Sequence, residues 1–286
     1  MSKETGRRIA VVTDSTCDLP RDLAQEHNIH IVPQVLIMGT KTWRDGVDID
    51  PPAFYELLQT SSDFPASSQP SVADFIEVFS GLAEEADGIA AILVSDELSG
   101  TLNSARMAKE SLPDVPIEIV DTRSVSVQLG FIVLAAARAA AAGADLQTVV
   151  DTARAMIGHS NVYFVVDTLE YLHRGGRIGA AARLFGTALN LKPLLAIRDG
   201  IVQPVTKVRS RRKALATLIE LLDEELAGKE QIQMAVLHVA APEEADRLAE
   251  QLVARYQPAE MIRSECGPVV GTHVGPGTLG VVYYAG

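Results

Sequence analysis

The sequence has little cysteine, no apolar run long enough for a bilayer and no surplus of positive charge, and each shortage removes a class of function. Cys17 and Cys266 are the two cysteines among 286 residues. Thiols so far apart in sequence make neither a disulfide framework nor a metal-ligand spacing, and a reducing cytoplasm is their simplest setting. The longest apolar stretch, near Phe131–Ala142, is interrupted by Arg138 and falls short of a membrane span. The segment from Met1 to Arg8 is polar and lacks the apolar centre of a signal peptide. A cytoplasmic protein with no transmembrane segment is therefore expected. Acidic residues outnumber basic ones by 37 to 25, for a formal charge of −12. Nucleic acid demands a basic face, so it is not an expected partner. No phosphate-binding glycine loop, no GxSxG elbow and no histidine pair at metal-ligand spacing occurs. A stand-alone phosphotransferase or hydrolase needs a nucleotide or metal site of its own, and the sequence offers neither.

What is present is a chain with 47% hydrophobic residues, enough for a substantial core. Ile9–Thr13, Ile89–Ser95 and Ile117–Val120 read as short buried strands, and His30–Ile37 as another. Helical segments alternate with them. Asp18 precedes a helix with Pro20 in its first turn, and Ser71 with Asp74 forms a capping-box pattern. Ser124–Ala142 is rich in alanine and stops at Gly143. Strands alternating with helices imply a mostly parallel sheet covered on both faces. Beyond about residue 160 the pattern changes. Asp199-Gly200 lies between two apolar runs as a hairpin turn, and the chain ends in a glycine-rich stretch followed by Val281–Tyr284 as a strand. The expected class is α/β, with a mostly parallel α/β domain over 1–160 and an α+β domain over 161–286 that contains a hairpin and a C-terminal glycine-rich loop.

Four segments concentrate polar side chains. Ser67-Ser68-Gln69-Pro70-Ser71 crowds hydroxyls and an amide before a helix, where free N–H groups add to the capacity for an anion. Plain capping at a proline turn explains it too. Ser95-Asp96-Glu97-Leu98-Ser99-Gly100-Thr101 follows an apolar strand and opens a helix, at the strand end where parallel sheets collect ligands. Ser99 and Thr101 are candidates there for a carboxylate or phosphate, with a capped helix as the alternative. Lys207–Lys213 carries five basic residues in seven, against an acidic background. Arg209 is a candidate to face an anion, or the cluster is a solvated helix start. Gly267–Gly280 matches GxGxxG literally at Gly275, Gly277 and Gly280, but a strand follows where the dinucleotide motif needs a helix. His273 is the one large polar side chain of that stretch, and a structural role competes with a functional one. Asp14 and Ser15 close the first strand, where turn chemistry accounts for them equally well. Cys17 has no readable base partner and is expected to be inert.

Taken in order, these segments resemble the DegV family. The resemblance rests on Thr13-Asp14-Ser15-Thr16 with Asp18-Leu19-Pro20, Ser68-Gln69-Pro70-Ser71 and Leu98-Ser99-Gly100-Thr101. It continues through Tyr171-Leu172, Gly175-Gly176-Arg177-Ile178, Lys192-Pro193 and Lys207-Val208-Arg209 to Gly271-Thr272-His273-Val274-Gly275-Pro276-Gly277. It implies two α/β domains with one long-chain fatty acid between them as ligand and no cofactor. The acyl chain is expected in an apolar tunnel and the carboxylate at the interdomain mouth. Some members serve as the binding subunit of a bacterial fatty acid kinase and deliver the acyl phosphate to phospholipid synthesis. On that model the chain is a lipid-binding subunit rather than an enzyme, with a fatty acid kinase subunit as partner. Ser67 and Ser99 are implied to contact the carboxylate, His273 to sit beside it, and Arg209 to stand at the mouth toward the kinase. A carrier or sensor without a kinase remains the alternative. Two departures stand out: Ser67 replaces a commoner threonine, and Ser95-Asp96 a commoner pair of serines.

Overall fold

Strand β1 (Ile9–Asp14) is buried along its whole length, which is why its sequence is an unbroken apolar run rather than an alternation. In the computed structural model, which describes residues 8–185 and 192–285, it is a central strand of the first sheet. The polar N-terminal stretch before residue 8 lies outside the described residues. The chain continues through α1 (Arg21–Glu26), β2 (Ile29–Val32), β3 (Val35–Met38), β4 (Lys41–Arg44), α2 (Pro51–Thr60) and β5 (Ala66–Ser68). Then come α3 (Val72–Ala83), β6 (Gly88–Leu93), α4 (Thr101–Glu110), β7 (Ile117–Asp121), α5 (Val127–Ala141) and α6 (Leu146–Met156). The order β2-β1-β6-β7, all parallel, turns the chain in opposite directions on either side of β1 and β6. That reversal opens a crevice at the carboxyl ends of β1 and β6, the usual ligand position in such sheets.

The second half contains β8 (Ser160–Val165), α7 (Glu170–Arg174), β9 (Leu194–Arg198), β10 (Ile201–Thr206), α8 (Arg211–Glu225) and β11 (Gln233–His238). It ends with α9 (Pro242–Tyr256), β12 (Glu260–Glu265), α10 (Pro268–Val274) and β13 (Leu279–Tyr284). Its sheet, β10-β9-β8-β13-β11-β12, is mixed, with β11 and β12 parallel and the other pairs antiparallel. Asp199 and Gly200 both have positive φ, as the tight β9–β10 hairpin requires.

Helix α5 joins the two halves. Val127–Leu134 is buried residue after residue, and the helix packs on β1 and β6 on one side and on β8 and β13 on the other. One hydrophobic cluster therefore runs through both sheets, from Val11 and Ile92 to Phe164, Leu237 and Val282. Its alanines allow this helix to pass closely between two sheets.

Two local expectations need correction. The single strand expected over 30–37 is two strands in different sheets, because Pro33 has no N–H to continue the ladder. Strand β3 instead forms a small antiparallel sheet with β4 and β5. The glycine-rich stretch expected to be a loop contains α10, which starts with Pro268 at its first position and stops at Gly275, with φ of 78°.

Candidate functional site

The carboxyl ends of β1 and β6 face the second sheet across a cavity. Its walls are apolar: Val94, Leu98 and Val125 from the first half, and Val162, Phe164, Leu172, Ile197, Val202 and Leu237 from the second. Its polar atoms come from Ser67, Gln69, Ser99, Gln34, Arg177 and His273, with Thr16 and Ser126. Three of the four polar segments, far apart in sequence, thus meet in one cavity.

Each polar side chain arrives by a separate local device. Ser67 sits on β5 opposite Leu36 of β3, so the small sheet, rather than a helix terminus, carries it. Ser71, four residues on, is spent as the N-cap of α3 in a reciprocal capping box with Asp74. Ser99 lies in the turn between β6 and α4, with its Oγ 2.8 Å from Thr101 Oγ1. His273 projects from α10, and its Nε2 is 2.8 Å from Ser67 Oγ.

Burial, with the Arg177 guanidinium nearby, lowers the His273 imidazole to about 4, so the ring is neutral near pH 7. Its Nδ1 is buried without a hydrogen-bond partner. A buried lone pair is left unpaired at lower cost than a buried N–H, so the ring proton belongs on Nε2, donating to Ser67 Oγ. That leaves the Ser67 hydroxyl free to donate into the cavity. Arg177, to which sequence reasoning gave no role, lines the cavity while Nε donates to Leu98 O at 3.0 Å and Nη1 to Gly175 O at 2.8 Å. Two of its five N–H groups are bound to backbone, which fixes the guanidinium as a positive charge at the cavity wall.

Arg209 is exposed, and no residue of 207–213 lines the cavity. Ser95 does not face a ligand either: it is buried, and its Oγ donates to Gly200 O at 2.9 Å, tying the β9–β10 hairpin to the first half. Asp96 points outward and pairs with Arg106. Asp14 is buried as a structural acceptor. Its Oδ1 takes N–H groups from Thr16 and Gln34 and the Thr16 hydroxyl, and its Oδ2 takes Val94 N–H at 2.9 Å.

Behind the cavity lies a second set of ties. Asp18 accepts from Ser126 Oγ at 2.6 Å and from Gly267 N–H at 2.8 Å. Asp45 accepts from Ser15 Oγ at 2.8 Å and from the backbone of Val269. Burial pushes their carboxyls up to about 8 and about 7. Tyr55 Oη donates to Cys266 O at 2.7 Å. These groups anchor the start of α10 on the first half, and so fix where His273 stands. Burial also raises both cysteine thiols, which makes them inert at neutral pH.

Among the described residues no cluster of histidine, cysteine and acidic side chains could hold a metal ion, and no helix is long and apolar enough to cross a membrane. The site is thus an apolar-walled cavity with hydroxyl donors converging on one region, suited to an amphiphile with a small acidic head.

A family model described as "Uncharacterised protein, DegV family" matches residues 8–286. The chain belongs to the DegV family. A DegV domain-containing protein of Streptomyces coelicolor is 42% identical over 278 residues, covering 96% of this chain and 98% of that protein. A solved DegV family protein from Thermus thermophilus, described as binding fatty acid, superposes with a TM-score of 0.92 at 34% identity, covering 97% of this chain and 99% of that one. DegV of Bacillus subtilis, described as a fatty acid binding protein, also gives 0.92, at 32% identity over 98% and 100% of the two chains. The α/β architecture with its second sheet domain is therefore that of known DegV structures.

Proposed function

We propose that this chain binds one long-chain fatty acid between its two halves, with the carboxylate at Ser67, Ser99 and His273. The observation that carries the reading is the apolar-walled cavity whose hydroxyl donors converge from β5 and the β6–α4 turn. Burying a tail of about fifteen methylenes at about 0.8 kcal/mol each offers on the order of 12 kcal/mol before costs, so the head group needs only modest recognition. Neutral hydroxyls meet that need and leave the carboxylate nucleophilic. Two relatives of the same fold are described as binding fatty acid.

The reading extends to a cytoplasmic lipid-binding subunit without catalysis of its own. It divides into domains near residue 160, where β8 begins the second sheet. A separate ATP-dependent kinase subunit phosphorylates the presented carboxylate for use in phospholipid synthesis, and the exposed basic segment containing Arg209 faces that partner. The test is mass spectrometry of lipid extracted from protein purified from a bacterial host. A stoichiometric long-chain fatty acid is expected. Protein that carries no lipid and takes up no added fatty acid overturns the reading.

A further inference from the structure

Ser99 can meet a carboxylate in two ways, and the difference is the position of one proton. Its hydroxyl proton either points into the cavity, where it stabilises an anion, or points at Thr101, where it leaves only lone pairs to face that anion. Oγ lies 2.8 Å from Thr101 Oγ1, a distance that fits either direction.

The chain of partners behind Thr101 decides between them. Asp14 is fully buried at the end of β1, and its carboxylate oxygens have no protons to give when ionised. Gln34 Nε2 lies 3.1 Å from Asp14 Oδ1, so the buried amide must turn its NH2 toward Asp14. The same nitrogen lies 2.9 Å from Thr101 Oγ1, and its second N–H can only donate there. Thr101 is fully buried, so its hydroxyl proton needs an acceptor. With Gln34 acting as a donor, Ser99 Oγ is the acceptor within reach. Ser99 Oγ also accepts Thr101 N–H at 3.3 Å. Both lone pairs of Ser99 are then occupied, and all that remains to it is donation.

We propose that Asp14, Gln34 and Thr101 form a one-way hydrogen-bond relay that fixes the Ser99 hydroxyl as a donor aimed into the cavity. All three are positioning residues. The relay sets the polarity of the site before any ligand arrives, so the protein favours an ionised head group over one that must itself donate. This rests on the fatty-acid reading above and adds to it the preference for the carboxylate form.

The test uses palmitate labelled with 13C at its carboxyl carbon. Affinity and the pKa of the bound carboxyl, followed by NMR across pH, are measured in wild type, Thr101→Val, Thr101→Ser, Ser99→Ala and the Ser99→Ala/Thr101→Val double variant. Thr101→Val should weaken binding by about tenfold and raise the carboxyl pKa, since an undirected hydroxyl stabilises the anion less. Thr101→Ser keeps the hydroxyl and should restore both. In the Ser99→Ala background Thr101→Val should add nothing, which a general loss of packing could not mimic. Gln34→Met interrupts the relay one link further back and should reproduce the Thr101→Val signature should that variant fold poorly. Wild-type binding with silent Thr101→Val and Gln34→Met overturns the relay alone, as does a Thr101→Val loss of equal size with and without Ser99. Wild-type protein that takes up no labelled acid overturns the fatty-acid reading, and the relay with it.

Discussion

Nδ1 of His273 rests against the bare Cα of Gly175, in the space that a β-carbon at residue 175 would occupy. The backbone of Gly175 is right-handed, with φ of −75°, so it would accept alanine without strain. The glycine serves the approach of the imidazole. Gly175→Ala should therefore act by displacing His273 from Ser67, and fatty-acid affinity should fall by about tenfold with one hydrogen-bond arrangement lost. Lipid titration together with thermal melting checks this. Unaltered affinity in a folded variant shows that His273 is not needed at its present position.

Ser67→Ala and Ser99→Ala each remove one hydroxyl donor to the proposed carboxylate. Hydrogen bonds to charged groups are worth roughly 1.5–3 kcal/mol, so each variant should lose about 10- to 150-fold in affinity. Competition against a fluorescent fatty acid measures this directly. Full affinity in both places the head group elsewhere.

Ser95→Ala provides the contrast. Its hydroxyl ties the hairpin at Gly200 to the first half and faces no ligand, so stability should fall by about 1 kcal/mol while the carboxyl pKa of bound acid stays put. Urea unfolding measures the first quantity and NMR titration the second. A shifted carboxyl pKa would make Ser95 part of the head-group site.

Stability should depend on pH with two opposed slopes. His273 is lowered from 6.5 to about 4 in the folded protein. Between those values the folded state binds fewer protons than the unfolded chain. Its contribution is complete above 6.5 and is lost as pH falls toward 4, amounting to about 3 kcal/mol. Asp18 and Asp45 are raised from 3.8 to about 8 and about 7. The folded state then binds more protons, so their contribution is complete below pH 3.8 and declines as pH rises through 7 and 8. Asp18→Asn should flatten the decline in urea unfolding between pH about 4 and about 8. A decline as steep as that of wild type assigns it to other groups.

Arg209 is exposed and outside the cavity lining. Arg209→Ala should retain its lipid in mass spectrometry yet form acyl phosphate with a cognate kinase subunit at least about tenfold more slowly, as expected for a charge that guides association. Normal turnover leaves the basic segment as a solvated helix start. Loss of lipid instead makes Arg209 a head-group ligand.

Features set by neighbouring residues were legible in the sequence. The capping box at Ser71 and Asp74 and the Asp199-Gly200 hairpin each depend on a few adjacent side chains, and both appear as expected. The α/β class followed from buried strands alternating with helices. Features set by distant partners were not legible. Strand β3 has almost the same composition as β2, and only its pairing with β4 and β5 places it in another sheet. Helix α10 hid among glycines, although Gly267-Pro268 and Gly275 carried start and stop signals. In the cavity, Ser67, Ser99 and His273 were singled out by residue type and by family resemblance. Gln34 was missed as a lining residue because nothing near it in sequence marks it, and Arg177, although part of the Gly175-Gly176-Arg177-Ile178 motif, because its partner Leu98 lies far away in sequence.

Several hydrogen bonds cross between the halves: Ser95 to Gly200, Arg177 to Leu98, Asp18 to Gly267 and Tyr55 to Cys266, with His273 to Ser67 inside the cavity. Where a guest can leave only when these ties part, its residence time is governed by how often they open, so two guests of very different affinity can depart at similar rates. A partner that loosened these ties would hasten delivery without competing for the guest, and cargo would be released on contact rather than by dilution.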